Sequence, residues 1–460
     1  MSAWLTPESL AALFLTAVFA VVALQRPGRG VLWYAVLGSL PLQMGAFSGR
    51  TISQGLMLAE VLASVLLVVW AFKRRAGARV LQMPFDLPIV VFFLLAITSF
   101  VGILAFPDYK AAENITLAVS VGQLMLIIWP LAVYLAAAEF ITTTRQLQWL
   151  QRITIALSMA QLAAPFIPKA YGPYTGWIWT FGLFGAPFAL AAIFEARSLL
   201  SKLFYVMVTI LPFVRGVEDG KAFLYVFVAA VVGTIMWVRA SKVAVIGGGV
   251  VLASALALLV VFGERVFTDP VDDLLNKERK QMSYGGASGR GALAMDALSI
   301  WEEAPVFGVG PANSYVYMLQ RAPIGTPHNQ YLNILVEFGL LGLVGWICFL
   351  VVAFRTGLEI YRASDLPEHR TFVLGWLGMF AGLVVGGGTG DFMIHSIRNG
   401  GLELFSGYYL QWVFLGGIVA VQRLERNRPL QDAAATRVTA RRGRFAPFVP
   451  RRTATARVAS

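Results

Sequence analysis

The sequence predicts an all-α polytopic membrane protein of roughly 12 transmembrane helices (11–13), with one long extracytoplasmic loop that contains an amphipathic helix. Three observations predict this fold class. Of 460 residues, 58% are hydrophobic and only 13% charged, and the mean hydropathy is +0.70; a soluble domain carries about twice that charged share. Apolar runs close to membrane-spanning length recur from residue 8 to residue 421. These runs are apolar on every face, whereas barrel strands would alternate over roughly ten residues.

The runs fall at 8–24, 31–46, 54–72, 87–106, 117–139, 152–167, 177–194, 203–214, 222–238, 243–263, 330–354, 372–388 and 404–421. Two of them, 31–46 and 203–214, are short enough to be broken or tilted. The basic residues test this division, because Lys and Arg collect in cytoplasmic connections. With the C-terminus inside, 25 of the 37 basic residues lie in inner connections or the tail, among them Lys73, Arg74, Arg75 and Arg79. The short outer connections hold only Arg50, Lys110, Lys169, Arg215, Lys221 and Arg398. No basic residue precedes the first run, which is read as a span and not as a cleavable signal.

Four regions follow: an N-terminal helix bundle over 1–263, an extracytoplasmic loop over 264–329, C-terminal spans over 330–421, and a basic tail over 422–460. The net charge of +12 raises the question of nucleic acid, but the tail alone holds ten arginines against Glu425 and Asp432. Rich in Ala, Thr and Pro, it reads as a disordered cytoplasmic anchor in reach of anionic lipid, with no nucleic acid implied. The loop is too long for a simple connector. Its segment 291–303 is amphipathic, with Leu293, Ala297, Leu298 and Trp301 on one side, and Phe307–Pro311 (FGVGP) ends that helix. The lone cysteine, Cys348, allows no intrachain disulfide.

Ionisable groups at a membrane edge are the places to look for function. His328 stands where the loop gives way to the span at 330, with Glu337 two turns into that span. A neutral imidazole there is suited to taking a proton from a hydroxyl; the structural alternative is a histidine hydrogen-bonded at a helix start. Arg215 follows an apolar stretch at an outer edge, with Lys221 about two turns on, and Arg290 stands just before the loop helix. Guanidinium groups on an outer face match the oxygens of a diphosphate, although a single arginine also reads as a snorkelling charge. Asp272 and Asp273 have no histidine or cysteine cluster beside them, so no metal is expected. No nucleotide-binding glycine motif appears, so no cofactor or ATP drive is expected either. The glycine triplets 247–249 and 386–388 read as close helix packing.

Together, Arg290, Trp301, Pro305, Gly308, Gly310, His328, Asn329, Glu337, Gly339 and Gly342 form a pattern that resembles the O-antigen ligase and polymerase family of bacterial envelope proteins. It covers about 290–350, with weaker support at 211–222, where PFVRGVEDG departs from the serine that often precedes the family's arginine. The resemblance implies a metal-independent glycosyltransferase in the bacterial inner membrane, with its active site on the periplasmic face. Its donor would be a glycan on undecaprenyl diphosphate, and its acceptor a hydroxyl of lipid A core or of a nascent polysaccharide. His328 would be the general base, Arg215, Arg290 and Lys221 would bind the diphosphate, and Asn329, Tyr331 and Glu337 would support the site. A transporter or flippase of lipid-linked sugars and a protein O-oligosaccharyltransferase are the competing readings. Charges near the outer edge, and halves that show no similarity to each other, favour the enzyme.

Overall fold

The computed structural model describes residues 7–40, 42–48, 53–74, 83–105, 117–159, 184–218, 222–239, 290–321, 326–327, 329–388, 390, 392–394, 405 and 408–444. The architecture is helical. In chain order it has α1 (Pro7–Gln25), α2 (Pro27–Leu37), α3 (Leu58–Lys73), α4 (Asp86–Ala105), α5 (Leu117–Phe140) and α6 (Thr144–Met159). There follow α7 (Phe184–Ile193), α8 (Leu199–Glu218), α9 (Ala222–Arg239), α10 (Arg290–Glu303) and α11 (Asn313–Arg321). The last three are α12 (Gln330–Ala363), α13 (Pro367–Gly386) and α14 (Leu410–Arg444). Among the described residues four helices are long and apolar enough to cross a membrane, at Glu8–Gln25, Val119–Phe140, Gln330–Ala363 and Pro367–Gly386.

Two expectations about the elements are corrected. The run at 31–46 is not one helix: α2 ends at Leu37 and the chain enters an antiparallel ribbon of β1 (Gln43–Ser48) and β2 (Ser53–Met57). The sequence QMGAFS carries glycine where a continuous helix would need a stronger helix former, and the pairing of the two strands satisfies the backbone instead. The tail is not disordered from residue 422 onward, because α14 continues to Arg444. Its continuation is docked: the Arg423 guanidinium donates to the carbonyls of Ala138 and Ile141 at the end of α5, and Glu425 pairs with His369 at 2.7 Å. The predicted span 243–263 lies outside the described residues.

Aromatic side chains knit the helices together. Phe349 of α12 lies 5.1 Å from Trp346, meets Phe85 and Phe380 edge-on at 6.3 Å, and stacks on Trp412 of α14 at 6.3 Å. α14 runs along α5, α9 along α13, and α4 along α12. The closeness of the first pair depends on Gly416, where a β-carbon would come within 2.5 Å of the Ala137 methyl. Outward-facing side chains such as Phe14, Phe72, Leu94 and Val351 remain exposed, as a surface turned toward lipid requires.

Candidate functional site

The site region is organised around a break in α12. Gly339 has φ 69° and ψ −169°, so the element is two helical segments joined at this residue. A break inside an apolar helix strands backbone groups, each costing several kcal/mol where water is absent. An unbroken helix would join the Val336 carbonyl to the Leu340 amide and the Glu337 carbonyl to the Leu341 amide. Here the loop 305–310 takes all four partners. Val309 N–H donates to the Val336 carbonyl (2.8 Å) and Gly310 N–H to that of Glu337 (3.0 Å). The Leu340 and Leu341 amides donate to the carbonyls of Pro305 (2.9 Å) and Val306 (3.4 Å).

This stitch accounts for the motif PVFGVGPANS residue by residue. Gly308 (φ 74°) and Gly339 face each other so closely that a β-carbon at 308 would lie 2.4 Å from the Glu337 carbonyl carbon. The Pro305 carbonyl also accepts from the Trp301 indole at 2.9 Å. Asn313 Nδ2 donates to the Val309 carbonyl at 2.7 Å, and Ser314 Oγ donates to Glu337 Oε1 at 2.6 Å. From α4, Ser99 Oγ reaches the carbonyls of Phe307 (3.3 Å) and Glu337 (3.1 Å). Ala312, buried with φ 66°, completes the tight path. Beside the stitch, α10 packs on the first half of α12 through Leu293, Ala297 and Ile300 against Val336 and Leu332, with Met318 of α11. A helix does lie over 290–303, but of its expected apolar side only Leu293 and Ala297 are buried, Leu298 and Trp301 are half-buried, and Ile300 is buried in addition.

The start of α12 is held equally firmly. Asn329 is its N-cap, accepting from the amides of Tyr331 (3.0 Å) and Leu332 (3.2 Å), while its Nδ2 donates to the Gly388 carbonyl (3.0 Å). The Gln330 amide donates to the Gly387 carbonyl (2.9 Å), and the Tyr331 hydroxyl donates to that of Val384. The glycines 386–388 thus end α13 and lie close against the start of α12, where a β-carbon at 387 would come 3.5 Å from Tyr331; the triplet 247–249 lies outside the described residues. Thr326 and Pro327, on the other side of His328, are buried.

Of the predicted residues, Asn329 caps α12 and Tyr331 and Glu337 lie on it, each bonded to a different partner, Gly388, Val384 and Ser314 respectively. Arg290 is the first residue of α10, one turn before Leu293, and Arg215 lies in the last turns of α8. His328 and Lys221 lie outside the described residues. Sequence reasoning missed Ser99, Ser314, Gln330 and Gln411, none of which carries a local signal of its distant partner. A cavity of about 320 Å³ lined by Thr356, Ile360, Gln422 and Glu425 sits at the far end of α12 and takes no part in this site.

A helical membrane protein with a broken, loop-stitched helix is the class these features define. Residues 204–347 match the family model described as O-antigen ligase. That segment, just under a third of the chain, runs from α8 across α10 and the stitch into α12, and it supports the O-antigen ligase and polymerase family for this protein. No curated protein matches the chain.

Proposed function

We propose that the protein is a metal-independent glycosyltransferase of polysaccharide assembly, moving a glycan from undecaprenyl diphosphate to a sugar hydroxyl at the periplasmic face of the inner membrane. The observation that carries this reading is the convergence, within the matched segment, of α10, which opens at Arg290, on the half of α12 that begins two residues after His328. His328 takes the proton of the acceptor hydroxyl as its oxygen bonds to the anomeric carbon. The bond from that carbon to the phosphate oxygen breaks, and the diphosphate leaves with the electron pair. Arg215, Arg290 and Lys221 hold the charge that develops on it, a task for which fixed guanidinium groups are suited. The donor's own phosphate-linked sugar supplies the driving force. The acceptor is lipid A core or a growing chain.

Transfer from a synthetic undecaprenyl-diphosphate glycan by purified protein in chelator tests the reading. Wild type should transfer; His328→Ala should be inserted and folded yet inactive. Undiminished transfer by the variant would remove His328 from the mechanism, and movement of intact lipid-linked glycan across vesicles without transfer would establish a flippase. Transfer to a serine of an acceptor protein would redirect the reading to protein glycosylation.

A further inference from the structure

Gln330 has no role in the chemistry above, yet it is among the most buried polar residues near the site, at 1% exposure. Its side-chain oxygen accepts from three successive amides, Phe392 (3.2 Å), Met393 (2.8 Å) and Ile394 (3.5 Å). Three N–H donors around one atom identify it as the oxygen of the amide. From the other side, Gln411 Nε2 of α14 donates to the carbonyls of Phe392 (3.0 Å) and Met393 (3.4 Å). With the Asn329 and Gln330 bonds to Gly388 and Gly387, residues 387–388 and 392–394 are both tied to the residues that directly follow position 328 in the sequence.

The direction of this tie matters. Gln330 and Leu332 are two residues apart, so on a helix they point about 200° from each other. α10, the helix that opens at Arg290, packs on the Leu332 and Val336 side. Residues 392–394 are bound through Gln330, on the opposite side. Two walls therefore flank the start of α12, one formed by α10, the helix that opens at Arg290, and the other fixed by Gln330.

Resting on the glycosyl-transfer reading, we propose that residues 387–388 and 392–394 form the acceptor-side wall of the site and that Gln330 is a positioning residue that sets their place beside the start of α12. Displacing an oriented reactant by about an ångström costs on the order of 10²-fold in rate. The Gln330 Nε2 has no partner among the described residues, so only the oxygen does the holding. A carboxylate at this position keeps an oxygen that accepts from the three amides, whereas a methionine of similar volume loses it.

The test uses full-length protein in lipid nanodiscs. Amide exchange over 387–396 is followed beside transfer kinetics from a synthetic undecaprenyl-diphosphate glycan to a soluble sugar acceptor. Gln330→Met should speed exchange of the 392–394 amides and raise the acceptor KM about tenfold or more, with the donor KM unchanged within about twofold. Gln330→Glu should recover most of both losses, which a variant that merely misfolds would not do. Unchanged exchange in Gln330→Met, or a donor KM that rises with the acceptor KM, overturns the proposal. Faster exchange with an unaltered acceptor KM does so as well. A wild-type protein that transfers nothing overturns the glycosyl-transfer reading itself, while protected 392–394 amides in that same protein would still mark the Gln330 tie as present.

Discussion

A β-carbon on Gly308 would lie 2.6 Å from the amide nitrogen of Gly339, so two backbones 31 positions apart in sequence pass each other with room for hydrogen atoms alone. This contact lets a loop replace the missing rungs of a broken membrane helix. It also sets the height at which α10, and with it Arg290, rests on α12.

Gly308→Ala and Gly339→Ala should each destabilise the protein by about 2 kcal/mol or more. Both positions have φ in the left-handed region, and the added methyl meets backbone that cannot swing aside. Gly233→Ala on α9, where a β-carbon meets nothing within 4 Å, is the control and should be neutral or stabilising by up to about 1 kcal/mol. Thermal unfolding in one detergent compares the three; equal melting temperatures for all would show that the stitch has no such tight contact.

Ser314→Ala removes the donor to a buried Glu337 oxygen and should cost about 1–3 kcal/mol. Ser314→Thr keeps the hydroxyl and should cost less. Denaturation midpoints that rank Ala above Thr would contradict the bond.

Asn329→Ala deletes both the cap and the tie to Gly388, whereas Asn329→Asp keeps the cap oxygen and loses only the Nδ2 donation. The alanine variant should lose about 1 kcal/mol more than the aspartate variant. Transfer should fall in both, since each loosens the residue next to His328. A fully active Asn329→Ala would separate the cap from the site.

Arg290→Lys should lower transfer strongly without altering stability, because an ammonium cannot reproduce the two-point grip of a guanidinium on a diphosphate. Competition by inorganic diphosphate should weaken in parallel. Wild-type rates and inhibition in the lysine variant would leave Arg290 a solvated charge.

Truncation after Arg444 should leave the melting temperature unchanged, and truncation after Val421 should lower it by several degrees. The second cut removes Arg423 from the Ala138 and Ile141 carbonyls, and Glu425 from buried His369. Melting of the two truncated forms checks the docking of α14 beyond Val421.

Much of this was legible beforehand. The helical membrane character and the helix that ends before FGVGP follow from local pattern, whereas Asn329 was singled out only by the family resemblance. The ribbon at 43–57 was hidden because its apolar residues match a short span as well as a strand pair. The tail was misread because Ala- and Arg-rich helix formers share their composition with disordered segments, and only contacts with α5 and His369 separate the two. Gln330 carried no signal at all. An isolated glutamine at a helix start is ordinary, and its importance lies in three amides more than sixty positions away.

By itself the sequence determined where the chain is apolar and where the loop helix lies. Those properties are summed along neighbouring residues, and local summation is what a pattern records. The tertiary structure decided which carbonyl receives which amide across the break and which turn lies behind Asn329 and Gln330. A buried backbone group accepts whichever donor the packing brings within about 3 Å, and that choice depends on the whole arrangement of helices, not on the residues beside it.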